Sequence, residues 1–402
     1  MKDKLELMKD KRLSIVRIGD QVLFQKDSDF YTEGYYQLRE IADLFKGGLS
    51  TFTAFGRIVK KKIESNNLYQ IPSYVVPKFK VAGPEVSSKG LRACLLALPK
   101  LISEVKRALR EHDVSWIMMP SLAGLVANLI APKDKIKVVQ LVGEWSMPLR
   151  LRYPKFAFII VPLAKWLIKL SLKRADLAVF VSNYLAEKYG RGLKCRIIIA
   201  NESRLRPWMI CQVDRNELHK PLRVLYVGRL VPEKGVQFLL EAIASVNREI
   251  PVELGIVGSG PYESYLKKMA KKLEIEQLIN FFGWVPWGER LFQIMREADV
   301  LVLPSTTEGL GLILIEAMSQ GLPVIASKVG GIREIVEDEI SGLLVEPGDS
   351  EAIAKGIMRI AEDSELRKRL VNESLKIAKE NTLENQTGRV VSAILEMIES
   401  RR

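Results

Sequence analysis

The chain has 402 residues, of which 48% are hydrophobic and 27% charged, a globular composition that excludes disordered and fibrous proteins. Its three cysteines include no CxxC pair, which argues against a disulfide framework or a zinc cage, and its two histidines exclude chemistry built on a histidine cluster. The net charge of +13 is uneven: residues 1–215 carry 38 Lys and Arg against 20 Asp and Glu, whereas residues 216–402 carry 23 against 28. These balances of +18 and −5 predict an anionic partner for the first part and a domain boundary near residue 215.

The amino terminus is charged throughout and lacks the apolar stretch of a secretory signal peptide. The longest apolar run in the middle of the chain, residues 156–164, is much shorter than the ~20 residues that cross a bilayer. We therefore expect a cytoplasmic protein without a membrane-spanning helix.

The amino-terminal half contains short apolar stretches that predict one sheet, separated by Pro- and Gly-containing loops such as 76–84. The predicted strands are 14–24, 51–59, 116–119, 137–142, 177–181 and 196–199. The carboxy-terminal half alternates strands with amphipathic helices, as βαβ units of a parallel sheet do. There the predicted strands are 223–227, 252–257, 279–282, 300–303, 324–326 and 342–345, and the predicted helices are 236–248, 263–273, 288–296, 312–320, 332–336, 350–361, 364–380 and 383–400. Two α/β lobes are the predicted architecture.

The stretch YVGRLVPEKGV, residues 226–236, is a strand that runs through Gly228 into a loop and then a helix. Ligands of open α/β sheets bind beyond the carboxyl ends of strands, where Arg229 and Lys234 are expected. Two cations beside a helix amino terminus suit a diphosphate, because the helix dipole adds to their charge. Taken alone, the motif fits a surface turn with solvated charges equally well.

The stretch 303–327 has the same plan, with Glu308 in a turn and a helix that begins near Gly311. Gly309 and Gly311 allow close approach of a ligand, and the amides of Leu310, Gly311 and Leu312 are expected to point at an anion. Glu316 follows Glu308 by eight positions, roughly 12 Å along a helix. Glycoside hydrolases need carboxyl groups about 5–9.5 Å apart, so this pair is better suited to binding the hydroxyls of a long ligand. A helix cap and a surface glutamate are the alternative.

Two further loops, in 254–262 and 280–289, follow predicted strands and are expected to line the same crevice. The first contains Gly258. In the second, Trp284 and Val285 are candidates to bracket a flat base, although packing explains Trp284 equally well.

The carboxy-terminal half resembles the donor domain of the GT-B glycosyltransferases of family 4 (glycosyl transferases group 1). The resemblance is carried by GRLVPEKG, IVGSGP, the FxG loop and EGLGLILIEAM, in the order and spacing of that family. A weaker match, ADLAVFVSNYL, lies in the amino-terminal half. The resemblance implies the GT-B architecture, two Rossmann-like domains facing across a cleft: 1–215 binding the acceptor, 216–382 binding a nucleotide sugar, and a last helix, 383–402, packing back on the first domain.

The resemblance also implies roles for single residues. Arg229 and Lys234 would hold the diphosphate, Glu316 the ribose, and Glu308, with the backbone of Gly309 to Leu312, the transferred sugar. The cations would stabilise the leaving phosphate, so Arg229, Lys234 and Glu308 are the predicted catalytic residues and no metal is expected. Members of the family often place a histidine near the sugar, where this chain has Glu144 and Trp145. Glu144 is therefore a further candidate, while His112 and His219 are expected to be solvated.

Other stretches of the chain are further candidates for function. Asp27–Asp29 resembles the metal-binding DxD of another glycosyltransferase architecture, but it precedes a predicted helix start and is expected in a loop or a cap. Residues 28–35 and the pair Gly47–Gly48 are expected to face the cleft. Residues 145–175 contain seven Lys and Arg and no acidic residue, with Lys165, Lys169 and Lys173 on one helix face. A helix of this kind is typical of proteins that bind an anionic membrane surface. A core helix with a solvated lysine edge is the alternative. Binding of nucleic acid is disfavoured because aromatic residues are not interleaved with the basic ones.

Together these features predict a retaining, metal-independent glycosyltransferase that moves a hexose from a UDP- or GDP-sugar to a lipid-linked or polysaccharide acceptor at the cytoplasmic membrane face. A nucleotide-sugar 2-epimerase is an alternative, disfavoured because few proton-transfer groups are present. A non-catalytic, membrane-docked subunit that binds a nucleotide sugar is another. Release of free UDP or GDP only in the presence of acceptor distinguishes the three.

Overall fold

The chain divides into two units in its structure, a computed structural model. The amino-terminal unit is Met1–Glu202 with Gln386–Arg402, and the carboxy-terminal unit is Ser203–Asn385. The structure describes residues 13–26, 29–32, 49–59, 69–71, 79–82, 98–144, 149–150, 153–211 and 217–401.

The described part of the amino-terminal unit is a mixed sheet with helices. Its strands are β1 (Leu13–Lys26), β2 (Asp29–Thr32), β3 (Leu49–Val59), β4 (Tyr69–Ile71), β5 (Phe79–Ala82), β6 (Val114–Met119), β7 (Ile136–Leu141), β8 (Leu177–Phe180) and β9 (Arg196–Ile199). Its helices are α1 (Leu98–Glu111), α2 (Leu122–Ile130), α3 (Ala157–Lys173) and α4 (Asn183–Tyr189). The strand order is β4-β2-β1-β6-β7-β8-β9, with β3 paired to β1 and β5. Strand β2 is antiparallel to its neighbours β1 and β4, and the other pairs are parallel.

The carboxy-terminal unit is a six-stranded parallel sheet. Its strands are β10 (Leu222–Val227), β11 (Val252–Val257), β12 (Ile279–Gly283), β13 (Val300–Leu303), β14 (Val324–Ser327) and β15 (Leu343–Val345). The helices are α5 (Val236–Val246), α6 (Glu263–Lys272), α7 (Glu289–Arg296), α8 (Leu312–Ser319), α9 (Ser350–Glu362), α10 (Ser364–Glu380) and α11 (Leu383–Ser400), which continues into the amino-terminal unit. The strand order is β12-β11-β10-β13-β14-β15, the doubly wound order of a Rossmann sheet.

Burial explains why the central strands are almost wholly apolar. Strands β13 and β14 are buried along their whole length, and the core of the unit contains side chains from the sheet and from α5, α8 and α9. A parallel sheet covered by helices on both faces requires such runs, because neither face meets water. The first and fourth strands of the unit, β10 and β13, are neighbours in this sheet, and successive strands run outward from them in opposite directions. The carboxyl edge between β10 and β13 is therefore the switch point, where such sheets bind ligands.

Several predicted elements differ from the structure. The expected loop 76–84 contains strand β5, which pairs with β3, and the expected helix start after Asp29 is strand β2. The predicted helix 332–336 is a 3-10 turn at Gly330–Glu334. In each case a short apolar or aromatic segment finds its partner across the sheet or the core, which local periodicity does not reveal.

The division between the units falls before Ser203, earlier than the residue 215 expected from charge. Leu205 is buried in the core of the carboxy-terminal unit. Further along, the side-chain amide of Gln320 donates to the carbonyl of Met209 at 2.9 Å, and the amide of Cys211 donates to the carbonyl of Ser319 at 2.8 Å. Packing, rather than charge, therefore places residues 203–211 with the second unit. Among the described helices, none combines the length and apolarity that crossing a membrane requires.

Candidate functional site

Two loops meet at the switch point of the carboxy-terminal unit. One follows β10 at Gly228 and the other follows β13 at Pro304. The amide and hydroxyl of Thr306 both donate to the carbonyl of Glu233, at 2.9 and 3.1 Å. These bonds connect the two loops directly, so the motifs that the sequence separates by about 70 positions form one surface.

Lys234 and Glu308 are the charged centre of this surface. Lys234 Nζ lies 2.5 Å from Glu308 Oε2, and only 14% and 16% of the two side chains are exposed. The Ser305 hydroxyl donates to Glu308 Oε2 at 3.4 Å, and the Gly309 amide donates to Oε1 at 3.3 Å. The carboxylate is therefore oriented from several sides.

Gly235 is needed for this close approach. Its φ is +68°, and a Cβ added there would lie 1.9 Å from the carbonyl oxygen of Pro304. A larger residue would separate the two loops, and with them Lys234 from Glu308. The glycines named from the second and third loops are tied to the same edge, since Gly228 donates to Val257 and Gly258 to Gly283 through their backbones.

Arg229 is exposed at the start of the first loop, and a buried side chain of β10 holds its backbone. The hydroxyl of Tyr226 donates to the carbonyl of Arg229 at 3.0 Å. Tyr226 is fully buried, and burial raises the pKa of its hydroxyl, with a further rise from the nearby charge of Glu308. The hydroxyl therefore stays a donor. Tyr226 was not predicted from the sequence, although a single tyrosine in a predicted buried strand indicates a hydroxyl that needs a hydrogen-bond partner.

The second loop leads into α8, which begins at Leu312. Gly311 precedes it with φ +85°, and the side chain of Leu310 is buried in the core. The first amides of a helix have no partner within the helix, so those at the start of α8 are available to an anion. Gly309 and Leu312 are half-buried at this edge.

Glu316 lies one turn into α8 and has partners different from those of Glu308. It is 8% exposed, and its Oε1 accepts a hydrogen bond from Trp287 Nε1 at 2.9 Å. Burial raises the pKa of Glu316, while the charge of Arg204 and the bond from Trp287 act in the opposite direction. Glu316 is thus a buried acceptor rather than a surface glutamate.

Trp287, rather than Trp284, is the aromatic residue that contacts a predicted site residue. Its ring packs edge-on against Phe292 of the core, with ring centroids 5.3 Å apart. Val285 also packs against the core, and Trp284 is half-buried. The sequence offered both tryptophans in one loop, but nothing in it indicated which of them reaches the glutamate.

The part of the chain that contains these loops matches known proteins. Residues 212–376 match the family described as Glycosyl transferases group 1. An uncharacterized glycosyltransferase of Methanocaldococcus jannaschii is 34% identical over 179 residues, which are 44% of this chain and 46% of that protein. The match thus spans less than half of that relative. A GDP-mannose-dependent α-(1-6)-phosphatidylinositol monomannoside mannosyltransferase of Mycobacterium tuberculosis is 26% identical over 343 residues, 79% of this chain and 86% of that protein.

A solved structure extends the likeness over the chain. Sucrose-phosphate synthase from Thermosynechococcus elongatus superposes with a TM-score of 0.75 and 17% identity, covering 97% of this chain and 100% of that one. The chain is thus similar to the glycosyl transferases group 1 family over residues 212–376. Its fold class is that of the GT-B glycosyltransferases, as the sequence predicted.

Glu144 lies in the amino-terminal unit, just after β7. Its carboxylate pairs with Lys188 of α4, at 2.7 Å from Oε1 and 3.0 Å from Oε2, and Lys188 also donates to the hydroxyl of Tyr184 at 2.9 Å. Burial lowers the pKa of Lys188, but the hydrogen bonds to Glu144 and Tyr184 outweigh this effect and leave the pKa raised. Because β7 and β8 are neighbours, this cluster lies at the carboxyl edge of its own sheet. Trp145 lies outside the described residues.

Both histidines have partners, and the expectation that they are simply solvated was wrong for the buried His112. His112 is buried, with Nε2 2.7 Å from the hydroxyl of Thr53 and Nδ1 2.6 Å from the carbonyl of Ala108. His219 is half-exposed, with Nδ1 2.9 Å from the buried carboxylate of Asp299. Both serve the packing of strand and helix ends.

The remaining predictions concern the amino-terminal unit. Asp29 is part of β2, whereas Asp27, Ser28, residues 33–35 and Gly47–Gly48 lie outside the described residues. Within the described ranges, no group of three or more His, Cys, Asp or Glu could hold a metal ion. Absence of a metal requirement remains a prediction.

Helix α3 carries most of the described basic segment and has two different faces. Val161, Ala164, Ile168 and Leu172 are buried on one face. On the other, Phe158 is 75% exposed and Trp166 58%, and Phe156, Ile159 and Leu163 are exposed as well. Lys169 and Lys173 are exposed near the end of the helix, while Lys165 is half-buried. The outer face is thus apolar at its start and basic at its end.

Proposed function

We propose that this protein is a glycosyltransferase that takes a hexose from a UDP- or GDP-sugar, with the carboxy-terminal unit binding the donor and the amino-terminal unit the acceptor. The observation that carries the proposal is the Lys234–Glu308 pair at the switch point, with Arg229 on the same loop. The match of residues 212–376 to the group 1 family and the GDP-mannose dependence of one relative support a nucleotide sugar as donor.

The chemistry of the site suits a diphosphate leaving group. Cleavage of the bond to the sugar leaves negative charge on the phosphate, which fixed cations and helix-start amides stabilise more in the transition state than in the ground state. Lys234, Arg229 and the start of α8 are groups of this kind. Glu308 would bind hydroxyls of the transferred sugar, and the phosphate oxygen would accept the proton of the acceptor. Retention of anomeric configuration is what the family resemblance implies.

The purified full chain tests this proposal in two steps. A thermal-shift panel of UDP-, GDP- and ADP-sugars identifies the donor, because a ligand that binds only the folded state raises the melting temperature. Release of free UDP or GDP is then measured with and without acceptors. Release only with acceptor supports transfer. A changed sugar without acceptor indicates an epimerase, and binding without release under any condition indicates a non-catalytic subunit.

Metal independence is part of the proposal, because Lys and Arg would supply the positive charge that a divalent ion supplies in other enzymes. Activity is expected to be unchanged in EDTA. Loss of activity in chelator that manganese restores would contradict it.

We also propose that α3 attaches the protein to an anionic membrane surface, where a lipid-linked acceptor is available. A helix with an exposed apolar face and a basic end lies in the membrane interface, and each basic residue near an anionic leaflet adds about 1 kcal/mol. The mycobacterial relative is named for a phosphatidylinositol monomannoside, a lipid, which supports a lipid acceptor here.

Flotation with liposomes tests this attachment. The chain is expected to float with vesicles of phosphatidylcholine and phosphatidylglycerol, and much less with phosphatidylcholine alone. F158S/W166S and K169Q/K173Q are expected to remain in the pellet fraction. The matched controls are W208S, which removes a tryptophan that is 72% exposed elsewhere, and K271Q/K272Q on α6. Equal loss of binding in the controls would contradict a role for α3.

A further inference from the structure

Residues 203–211 run beside the helix that carries Glu316. Two hydrogen bonds attach the end of this segment to α8 and the residue after it: Cys211 N to Ser319 O at 2.8 Å, and Gln320 Nε2 to Met209 O at 2.9 Å. Nearer its start, Leu205 is fully buried in the core of the same unit. The segment is therefore packed on the unit that carries Glu316 and is not a free linker.

Arg204 is held at the start of this segment. Ser203 and Leu205 on either side are buried, the amide of Leu205 donates to the hydroxyl of Ser203 at 3.3 Å, and Leu383 N donates to Leu205 O at 2.8 Å. The backbone of Arg204 is thus fixed, and its side chain extends toward Trp287, with Cζ 5.6 Å from the ring centroid.

Arg204, Trp287 and Glu316 form a chain of contacts. Trp287 donates to Glu316 Oε1 at 2.9 Å, and its ring contacts both the core residue Phe292 and the Arg204 guanidinium. Arg204 also attracts the Glu316 carboxylate directly. Trp287 occupies one acceptor position of a carboxylate that has about four, so acceptor capacity remains for a ligand.

The carboxylate needs this support because its burial favours the neutral acid. Burial alone raises the pKa of Glu316 from its usual 4.5, and Arg204 is the first opposing influence. An ionised carboxylate accepts hydrogen bonds from two neighbouring hydroxyls, whereas a protonated one presents a donor at one oxygen. Only the ionised form leaves both carboxylate oxygens as pure acceptors for the two hydroxyls of a diol.

We propose that Arg204 is a positioning residue that, with Trp287, holds the Glu316 carboxylate as a double acceptor for the 2′,3′-diol of a ribonucleotide donor, and so sets the preference for ribose over deoxyribose. The proposal rests on the proposed function, because Glu316 meets a ribose only if the unit binds a nucleotide sugar. Arg204 acts through Glu316 and Trp287, and no contact of its own with the ligand is required.

The experiment compares binding of a nucleoside diphosphate and its 2′-deoxy analogue, UDP and dUDP or GDP and dGDP, whichever base the full chain binds. Wild type is expected to prefer the ribonucleotide about tenfold, as one hydrogen bond to a charged acceptor predicts. R204Q should lose most of this preference while its affinity for the deoxy analogue changes little, and R204K should restore part of it. R206Q is the matched control, because Arg206 is the neighbouring arginine and pairs with Glu384 at 2.6 Å instead.

A pH series supplies a readout that a purely structural role would not move. The preference of wild type should fall as acidification protonates Glu316, and in R204Q it should fall at higher pH, because loss of the cation raises the pKa of Glu316 further. Binding of neither UDP nor GDP by wild type would overturn the proposed function. Binding without a ribose preference, or a preference unchanged in R204Q, would overturn the role of Arg204 alone. If R204Q fails to fold, R204K and the wild-type pH series decide.

Discussion

At the scale of single residues, the site depends on a pair that the chain separates by 74 positions. Lys234 neutralises Glu308 while no ligand is present, and a diphosphate would compete for the same cation. Because each charge has a partner, neither side chain is left as an unpaired, partly buried charge, which would be strongly destabilising. Binding would exchange one anionic partner of Lys234 for another.

Replacement of Lys234 by methionine is expected to lower kcat about 100-fold or more, because a cation aimed at the leaving phosphate is removed. The measurement is steady-state turnover with the donor identified by the panel. K267M is the control, since Lys267 forms an exposed pair with Glu263 at 2.7 Å on α6 and should leave turnover unchanged. Turnover of K234M within a few-fold of wild type would contradict a catalytic role.

Tyr226→Phe should weaken donor binding several-fold and lower the free energy of unfolding by about 1 kcal/mol. The reason is that the hydrogen bond from Tyr226 to the Arg229 carbonyl is lost. Donor KM and urea unfolding measure the two effects. Y265F changes an exposed tyrosine of α6 and serves as control. If KM is unaltered in Y226F, the buried hydroxyl does not position the loop.

Gly330→Ala tests how closely the loops must approach. The φ of Gly330 is +52°, and a Cβ there would lie 1.8 Å from the carbonyl oxygen of Glu308, so the alanine must displace the loop that carries Glu308. We expect a loss of activity of at least tenfold. Gly192→Ala is the matched control, because its φ is +80° but nothing lies within 4 Å of the added Cβ. Equal losses in both variants would indicate backbone strain rather than displacement of Glu308.

At the scale of elements, two helices of the carboxy-terminal unit, α9 and α10, begin at aspartate side-chain caps. Asp363 ends α9 and begins α10, and its carboxylate accepts from the amide of Leu366 at 2.9 Å. One residue thus serves two helices. Helix α3 illustrates the other principle, since only its inner face is explained by the core.

Asp363→Ala is expected to lower the free energy of unfolding by about 1 kcal/mol, the usual value of an N-cap. Urea unfolding followed by circular dichroism measures it. Asn is an equally good N-cap residue, so D363N should retain most of the stability. A D363N variant as unstable as D363A would assign the effect to charge and not to the cap.

At the scale of the whole molecule, two units of opposite charge balance suggest a division of labour. The described site residues, apart from Glu144, all belong to Ser203–Asn385. Binding of the nucleotide alone should therefore concern one unit, while the basic unit is left to bind an anionic partner.

Hydrogen exchange with saturating nucleotide tests this division. Amides in 228–235 and 304–316 should exchange more slowly, and those of β6, β7 and β8 should not change. At a ligand concentration of 100 Kd the expected stabilisation is about 2.7 kcal/mol. Protection confined to the amino-terminal unit would contradict assignment of the donor site.

The sequence by itself determined the strands and most helices of the carboxy-terminal unit and the order of its motifs, and it predicted Lys234 and Glu308 beyond the carboxyl ends of strands. Periodicity and glycine spacing suffice for this, because strands, helices and βα turns are local structures. The same local signals failed at β5 and at the 3-10 turn Gly330–Glu334, where pairing across the fold decides.

Only the tertiary structure decided which side chains meet. The strand order places β10 beside β13 and so brings Lys234 to Glu308, and packing of residues 203–211 on α8 brings Arg204 to the loop of Trp287. It also buried His112 against Thr53, contrary to expectation. The physical reason is common to these cases: contacts between distant residues depend on how strands are ordered and helices packed, and no pattern within a short stretch of sequence records that.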